Sequence, residues 1–518
     1  MDNARQKDIT KLAKKFAISG IGSIFGLFWT PLTSVITTRF LGAELYGIFS
    51  LVQSWGSLLA NLSSIGLNGM NLRFIPTYKA TGSMALIKGS VFTTIRVSVV
   101  ISAAATCFIL FFPDLFCELF IHRPETISEE YFSNYVTKAF QFYAVSILLT
   151  ASYQAFLSSL VGYQFVQYKV LANDVLGPAA KIISLTSLLL LDFNLYAALG
   201  SNIIQDIVVL LVSAFYLFRI APELRDKSIP VQIEKKKMMK FSSALFANSL
   251  LSKYTYQLDI LFLGYYATLP EIGIYTLALR LQPLIYLPHY SISSVFGPMV
   301  AELYTAGKIK ELNQFYKTTT KWSVTLSLPI CSLIILFSKE ILGVFGKEFA
   351  AGFELVAILS IGNLIHDFLG LSGNIILMTG RIRINVINSI VMAIINLLLM
   401  SILIRNYGMY GAAIGNFLSI TILSILTTVE TFYILKIHPF DFLLLKPFFA
   451  MLISSSIVIA ISIWYRLPYY EITFLIYILV FILLYVGFLF LFGLSQDDRM
   501  ILDKILKKLP FKKQNSNE

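Results

Sequence analysis

The chain has 518 residues, of which 57% are hydrophobic and only 14% are charged, and its formal net charge at pH 7 is +12. Because a soluble domain is about 45–50% apolar, this composition excludes an ordinary soluble protein and predicts helices embedded in lipid. The basic residues form short clusters between apolar runs, which indicates membrane topology rather than nucleic-acid binding. The three cysteines are too few and too scattered for a disulfide framework or a metal cluster.

About fourteen apolar segments follow one another along the chain, separated by polar or proline- and glycine-containing breaks. They are centred near Phe25, Trp55, Val99, Ser146, Ser184, Val208, Ser252, Pro283, Ser327, Leu364, Ile394, Leu423, Ser455 and Val480. The first segment follows a basic N-terminus without a small-residue cleavage site, so we expect it to be retained as the first helix. We also expect interruptions in the helices at Pro31, Gly177-Pro178, Pro283, Pro288 and Gly297-Pro298.

The distribution of lysine and arginine tests this division of the chain. When the N-terminus and every second connection are placed on one side of the membrane, that side carries 30 of these residues and the other side carries 7. Because basic residues collect on the cytoplasmic side, the pattern predicts an even number of helices with both termini in the cytoplasm. The longest polar stretch inside the chain, at 219–240, carries seven of them and is predicted to be cytoplasmic.

An internal repeat lies on either side of that stretch. Leu41-Gly42 and the following YGIF at 46–49 have a counterpart in Leu263-Gly264 and the IGIY at 272–275. The predicted fold is therefore an all-α polytopic membrane protein, with two six-helix bundles related by a pseudo-two-fold repeat and two further C-terminal helices. The predicted domains are an N-terminal bundle at 1–219, a basic cytoplasmic linker at 220–240, a C-terminal bundle at 241–437, helices 13 and 14 at 438–494, and a basic cytoplasmic tail at 495–518.

Ionisable residues inside the apolar segments are the candidate site residues, because a charge at the bilayer centre costs at least ~2.5–3.5 kcal/mol on insertion scales. They are Arg96, Lys181, Lys253, Arg280, Asp206, Asp259, Asp367 and Glu430. One interpretation is pairing that only fixes helix packing, such as Lys181 with Asp206 or Lys253 with Asp259. In the other interpretation, Lys253 and Arg280 bind an anionic headgroup. Asp259 or Asp367 would then bind a coupling ion, and His366 would be either a proton relay or a packing residue.

The first repeat unit carries a family resemblance. RFLGAELYGIFSL at Arg39–Leu51 and GLNGMNLRFIPTY at Gly66–Tyr78 resemble the opening of the bacterial polysaccharide transporter family, the Wzx-type O-antigen and capsule flippases. That family is part of the multidrug/oligosaccharidyl-lipid/polysaccharide exporter superfamily. The resemblance implies two six-helix bundles around a cavity that opens alternately to either side, in a multi-pass protein of the cell (inner) membrane.

The resemblance also implies a function. It implies transport of a polyprenyl-diphosphate-linked oligosaccharide from the inner to the outer leaflet for surface polysaccharide synthesis, without enzymatic chemistry. Arg73 lies in the family's LRF-type motif and joins Lys253, Arg280 and Lys181 as the predicted diphosphate-binding set. Asp259 and Asp367 are the predicted coupling-ion residues, with Na+ or H+ as the ion. No cofactor, resident metal or nucleic-acid partner is expected, whereas membrane lipids and the polysaccharide polymerase machinery are.

Four alternatives stay open at the level of sequence. Within the superfamily they are a lipid II flippase and a cation-coupled multidrug exporter, and the carboxylates Asp259 and Asp367 favour the exporter. A membrane glycosyltransferase or polymerase would need a large external loop with catalytic carboxylates, and the connections are too short for one. A membrane protein without a transport role is the fourth.

Overall fold

The computed structural model describes residues 2–121, 128–253, 258–465, 471–493, 495 and 498–499. Within the described helices, the side chains at 2–28, 244, 247–253, 294, 465 and 471–473 are outside the description. Secondary structure in the described residues is helical throughout. The nineteen α-helices are α1 (Asp2–Ser63), α2 (Leu67–Ala80), α3 (Met84–Phe111), α4 (Pro113–Phe120), α5 (Glu129–Tyr131), α6 (Lys138–Gly162), α7 (Val166–Lys169), α8 (Gly177–Leu190), α9 (Asn194–Ile220), α10 (Lys235–Lys253), α11 (Leu258–Tyr266), α12 (Leu269–Thr305), α13 (Ile309–Leu336), α14 (Ser338–Phe345), α15 (Phe353–Leu369), α16 (Ser372–Met378), α17 (Ile382–Leu435), α18 (Leu445–Tyr465) and α19 (Glu471–Leu491).

Two of the longest helices contain a glycine at which the backbone leaves the helical conformation. Gly42 has φ 67° inside α1, and Gly408 has φ 53° inside α17. Positive φ is accessible to glycine at little cost because it has no Cβ atom. Each glycine therefore ends one helical segment and starts the next, so that α1 and α17 each contain two of the predicted apolar segments.

The predicted proline interruptions are mostly wrong. Pro31 lies inside α1, and Pro283, Pro288 and Pro298 all lie inside α12, which is helical from Leu269 to Thr305. Membrane helices tolerate proline because neighbouring groups satisfy the carbonyl that it leaves unpaired. Gly177-Pro178 does mark a change of helix type, since α8 begins there directly after a π-helix at Val170–Leu176.

The described residues contain nine helices or helix pairs that are long and apolar enough to cross a membrane. Large apolar side chains on several of these helices point outward, for example Ile183 and Leu190 on α8, which are 66% and 83% exposed. Such surfaces are stable only against lipid or another apolar partner. The chain is therefore an all-helical, multi-pass membrane protein, as its composition predicted.

The chain forms two compact units. The first unit contains residues 1–277, 342–351 and 396–412, and the second contains 278–341, 352–395 and 413–518. In the first unit α6 is the central helix, because it packs against α1, α2, α3 and α9. In the second unit α13 has this position and packs against α15, α18 and α19. The predicted boundaries of the linker, of helices 13 and 14, and of the tail stay predictions.

Two repeat-related glycines meet inside the first unit. A Cβ atom on Gly47 would lie 1.9 Å from the carbonyl oxygen of Leu269, and one on Gly273 would lie 2.2 Å from that of Ala43. Either Cβ would also approach the backbone nitrogen of the other glycine to about 3 Å (3.2 and 3.1 Å). Residues related by a two-fold axis contact each other only at that axis. The contact therefore supports the internal repeat read from the sequence.

The part of the predicted linker that precedes α10 is held against α2 and α3 of the same unit by hydrogen bonds. The ammonium group of Lys88, only 7% exposed, donates to the carbonyl oxygens of Asp226 and Ile229 at 2.5 and 3.1 Å. Tyr78 donates from its hydroxyl to Glu234 at 2.7 Å. Hydrogen bonds from Lys237 and Tyr78 hold the pKa of Glu234 below its usual range. This segment is therefore fixed to α2 and α3, and it stays so at neutral pH because Glu234 is ionised there.

We expect Lys88→Met to release this segment, because it removes both hydrogen bonds to the loop while keeping most of the volume of the side chain. Limited proteolysis should then cut between 225 and 234 at least several times faster than in the wild type. The matched control is Lys79→Met, since Lys79 is exposed and its ammonium group lies 5.9 Å from the ring of Tyr163. Equal cleavage rates in Lys88→Met and the wild type would contradict the fixed linker.

Candidate functional site

The predicted cations of the first unit have different surroundings. Arg73 is exposed on α2, with its guanidinium carbon 4.6 Å from the centre of the Phe241 ring. Lys181 is half-buried on α8 and lines a cavity of about 210 Å³ together with Asp206. That shared cavity supports the pairing interpretation for Lys181 and Asp206. It also places a lysine inside a polar space within the first unit.

The other two predicted cations are Arg280 and Lys253. Arg280 is half-buried on the part of α12 that belongs to the second unit. Lys253 is the last residue of α10, and its side chain lies outside the described residues. Its suggested pairing with Asp259 is therefore not described either. The set of Lys253, Arg280, Lys181 and Arg73 stays a prediction.

Asp259 is fully buried in the first turn of α11. Its carboxylate accepts a hydrogen bond of 2.5 Å from the hydroxyl of Tyr275 and one of 2.9 Å from the backbone N–H of Ile260. The bond from Tyr275 connects α11 to α12.

Asp367 lies at the centre of a buried polar cluster in the second unit. It is 1% exposed on α15, and its Oδ1 lies 2.7 Å from Nδ1 of His289 on α12. The hydroxyl of Ser327 on α13 donates to its Oδ2. The ring of His366, the preceding residue, lies 4.8 Å from the ring of His289, and its Nδ1 is 2.6 Å from the hydroxyl of Ser424 on α17. Four helices of one unit thus place a carboxylate and two imidazoles together; we call Asp367, His289 and His366 the buried triad.

The buried triad can hold a proton. Histidine is the side chain that, unperturbed, changes its charge closest to neutral pH. Oδ1 of Asp367 and Nδ1 of His289 lie 2.7 Å apart, so that a proton on either group forms a hydrogen bond to the other. Because Asp367 and His289 are buried, each change of protonation alters the local charge at a large energetic cost. The triad is therefore suited to link proton uptake to a change in the packing of four helices.

Sequence reasoning identified Asp367 and weighed His366, but it missed His289. His289 lies 77 residues before His366, so no short motif connects them. In addition, Pro283 and Pro288 near the middle of α12 suggested a break in the helix rather than a site. Gln282 was missed as well, although its Oε1 accepts a hydrogen bond of 2.7 Å from Asn363 on α15, one helical turn from His366. Polar residues at 282 and 289 of one apolar helix were the available sign, because a spacing of seven places them on the same face.

A further cavity of about 430 Å³ lies in the second unit beside α13, α18 and α19. Its polar end holds Lys321 and Lys446. Lys321 contacts Asp498 at 2.7 Å, and Lys446 donates to the carbonyl oxygen of Gly493 at 2.7 Å. Burial raises the pKa of Asp498, but hydrogen bonds from Lys321, Trp322 and Ser495 outweigh it and hold that pKa below its usual range. Both lysines thus fix the segment that follows α19.

Comparison with protein families gives two matches. The model described as "Polysaccharide biosynthesis protein" matches residues 12–304. A second model, MatE, matches residues 244–403. The first match covers the Arg39–Leu51 and Gly66–Tyr78 motifs that carry the resemblance in the sequence.

Two curated relatives are similar over most of their length. The chain is 23% identical over 410 residues to the probable low-salt glycan biosynthesis flippase Agl15 of Haloferax volcanii, which is 78% of this chain and 80% of that protein. It is also 23% identical over 380 residues to an uncharacterized membrane protein of Methanocaldococcus jannaschii, which is 71% of this chain and 73% of that protein.

Solved structures share the fold. The lipid II flippase MurJ in an inward closed conformation gives a TM-score of 0.68 at 19% identity, covering 93% of this chain and 98% of that one. An inward-facing multidrug resistance transporter of the MATE family gives 0.64 at 14% identity, covering 79% and 94%. At these identities the likeness shows the architecture and leaves the substrate to be argued from the residues.

Proposed function

Because the chain belongs to the polysaccharide biosynthesis protein family, whose model covers residues 12–304, we propose that it is a flippase for a polyprenyl-diphosphate-linked oligosaccharide. The substrate passes from the inner to the outer leaflet of the cell membrane and serves surface polysaccharide synthesis. The observation that carries the proposal is a polar cavity within a membrane-embedded unit, where Lys181 and Asp206 lie among hydroxyl and amide side chains. The glycan flippase relative from Haloferax volcanii supports the substrate class.

The physical need for such a cavity follows from the substrate. A headgroup of sugars and a diphosphate cannot enter hydrocarbon without losing its hydrogen bonds to water. A polar cavity replaces those bonds during passage, while the polyprenyl chain stays in lipid. No covalent bond is made or broken, so the protein acts as a transporter and not as an enzyme. Alternating exposure of the cavity then requires only movement of packed helices.

The diphosphate is bound by cations in this proposal. Arginine offers planar bidentate donors to phosphate oxygens and lysine offers a compact charge. Lys181 in the first unit and Arg280 in the second are half-buried. They are the described residues of the predicted set that combine charge with burial. Lys253 keeps its predicted role, and exposed Arg73 is assigned to the first encounter with the headgroup.

Transport is driven by proton coupling at the buried triad. Asp367 lies against the imidazole of His289, and histidine is the side chain that, unperturbed, changes its charge closest to neutral pH. Asp367 is therefore assigned to proton coupling, and Asp259 keeps its predicted role as a coupling-ion residue. Both termini lie in the cytoplasm in this proposal, and the polymerase that consumes the exported oligosaccharide acts on the outer side.

The second candidate function is a cation-coupled exporter, favoured by the MatE match at residues 244–403. Such a protein needs a carboxylate that faces its cationic cargo. Asp206 instead lines a cavity that also contains Lys181, and it accepts hydrogen bonds from Ser146 and Thr150. The lysine in that cavity makes it more suitable for an anionic or neutral cargo than for a cation.

The test is deletion of the gene, followed by reintroduction of the wild type, Lys181→Ala or Arg280→Ala at equal membrane levels. We expect the deletion to remove surface polysaccharide and to retain its lipid-linked precursor on the inner leaflet. The wild type should restore export, and each variant should restore about a tenth of it or less, since charged hydrogen bonds contribute about 1.5–3 kcal/mol each.

The matched control for this test is Arg96→Ala, because Arg96 is an exposed cation within α3 that lies 5.8 Å from the ring of Phe92. It should restore export fully. If the deletion leaves surface polysaccharide unchanged and instead raises sensitivity to cationic drugs, the exporter function replaces the flippase.

A further inference from the structure

A second cavity of the first unit adjoins the one that contains Lys181. It measures about 480 Å³ and shares Tyr153 and Gln154 of α6 with its neighbour. Along α6, the residues that line one or both cavities are Tyr143, Ser146, Thr150, Tyr153, Gln154, Leu157, Ser158 and Val161. Steps of three and four residues place all of them on one face of the helix. That face extends from Tyr143 to Val161, which is eighteen steps of 1.5 Å or about 27 Å.

The helix α1 supplies a second polar face. Gln53, Gly56 and Ser57 line the smaller cavity, and Asn61 and Ser64 line the larger one. The same steps of three and four residues place Gln53, Gly56, Ser57 and Asn61 on one side of α1, Ser64 follows its last residue, and α1 packs directly against α6. The two cavities thus lie side by side along the contact between α1 and α6, and we call their shared lining the α1–α6 track.

The chemistry of the α1–α6 track is mainly that of neutral amides and hydroxyls. The larger cavity contains the side-chain amides of Asn61, Asn68, Gln154 and Asn173, and its only cation among the described lining residues is Lys169. In the smaller cavity, Lys181 shares the space with Asp206, whose charge opposes it. A diphosphate needs cations, and in the α1–α6 track the proposed function assigns it to Lys181. The neutral donors and acceptors that line the rest of the track instead match the hydroxyl and acetamido groups of a sugar.

Side-chain polar groups of the α1–α6 track remain available to form hydrogen bonds with a ligand. The amide of Asn202 is buried, at 4% exposure of the residue, and lies beside the Tyr143 hydroxyl in the smaller cavity. Buried polar groups are nearly always hydrogen-bonded in native structures. The Asn61 amide donates to the Ser57 carbonyl oxygen at 2.7 Å, which leaves its side-chain oxygen to accept from a ligand.

We propose that the α1–α6 track is the binding site for the sugar portion of the substrate. Its amides bind sugar hydroxyls, the ring of Tyr153 packs against the apolar face of a sugar, and the diphosphate lies at Lys181 in the smaller cavity. This inference rests on the proposed flippase function and adds to it the residues that select the glycan. Gln154 is the key residue, because it lines both cavities and lies halfway along the track.

The experiment uses the full-length protein in liposomes with two probes: a polyprenyl diphosphate carrying a neutral tetrasaccharide, and one carrying a single hexose. Transport is followed by the appearance of the sugar to a lectin outside the vesicle. We expect Gln154→Leu and Asn68→Leu each to slow transport of the tetrasaccharide probe about tenfold or more, the value of one to two lost hydrogen bonds. Transport of the single-hexose probe should stay within about twofold of the wild type, because most of its binding free energy comes from the diphosphate.

The matched control is Gln141→Leu. Gln141 is an amide on the same helix, but it is exposed and donates to the carbonyl oxygen of Leu110 at 3.1 Å, away from the track. It should leave transport of both probes unchanged. Equal slowing of the two probes by Gln154→Leu, or no slowing of either, would overturn the sugar-binding track while leaving the flippase function in place. If the wild type transports neither probe, the proposed function fails and this inference fails with it.

Discussion

Asp367→Asn is expected to reduce pH-gradient-driven transport of the lipid-linked probe by about 100-fold or more. The substitution keeps the shape of the side chain and its contact with the Ser327 hydroxyl, but it removes the negative charge from His289 at 2.7 Å. Breaking a buried charge pair costs about 3–5 kcal/mol. In a proton-coupled transporter, this loss slows the transport cycle, because each cycle must bind and release a proton. The measurement is uptake into liposomes with and without a pH gradient.

A structural role for Asp367 would give a different result from a coupling role. If Asp367 couples protons, Asp367→Asn should still exchange labelled for unlabelled substrate at equilibrium, where no proton movement is needed. The groups around Asp367 that can titrate are His289 on α12, His366 on α15 and the Cys331 thiol on α13. His289→Gln should therefore retain part of the transport and flatten its dependence on pH, whereas replacing Cys331 by serine should leave that dependence unchanged.

Glu430→Gln is the matched control for this prediction. Glu430 is a half-buried carboxylate on α17 of the same unit, and it accepts a hydrogen bond of 2.6 Å from the amide of Asn388. The glutamine can keep that hydrogen bond, and no imidazole contacts it in the described part of the chain. If Glu430→Gln and Asp367→Asn lower gradient-driven transport equally, then replacing any buried carboxylate has this effect and the proton-coupling role of Asp367 is wrong.

The helices could be predicted from the sequence because the bilayer imposes one dominant rule, that apolar runs of sufficient length become helices. Each of the fourteen predicted segment centres lies within a described helix, from Phe25 in α1 to Val480 in α19. Helix interruptions were predicted less well, because proline at 283 or 288 looks the same in the sequence whether or not neighbouring helices compensate for it. The kinks instead occur at Gly42 and Gly408, where glycine allows a positive φ.

The candidate site was predicted only in part, for a related reason. Charged residues in apolar segments stand out, so Asp367, Asp206 and Lys181 were visible from composition alone. Their partners were not, because His289 and Ser327 reach Asp367 from other helices. Neutral amides such as Gln154 and Asn68 have no charge that would distinguish them in an apolar segment. Once the bounds of α6 are known, however, its polar residues can be seen to recur at helical spacing. His289 and Ser327 were therefore missed because they are far from Asp367 in the sequence, although their side chains are polar.

The close contact between repeat-related glycines leads to the second prediction with a large effect. Gly47→Val and Gly273→Val should each lower the free energy of unfolding by about 3 kcal/mol or more, the upper end of the usual cost of overpacking. The obstacle in each case is a backbone carbonyl oxygen, at 1.9 Å from a Cβ on Gly47 and 2.2 Å from one on Gly273. A carbonyl cannot rotate away as a side chain can, so α1 and α12 must separate. Thermal unfolding of the detergent-solubilised protein measures the loss.

Gly343→Ala is the control, because a Cβ on this helical glycine meets nothing within 4 Å. It should be neutral or stabilise the protein by about 0.5–1 kcal/mol through the better helix propensity of alanine. The milder pair Gly47→Ala and Gly273→Ala tests the contact itself, since the second alanine should cost less once the first has pushed the helices apart. Additive losses in the double variant would show that the two glycines do not share one contact, and the two-fold relation between the repeats would lose its structural support.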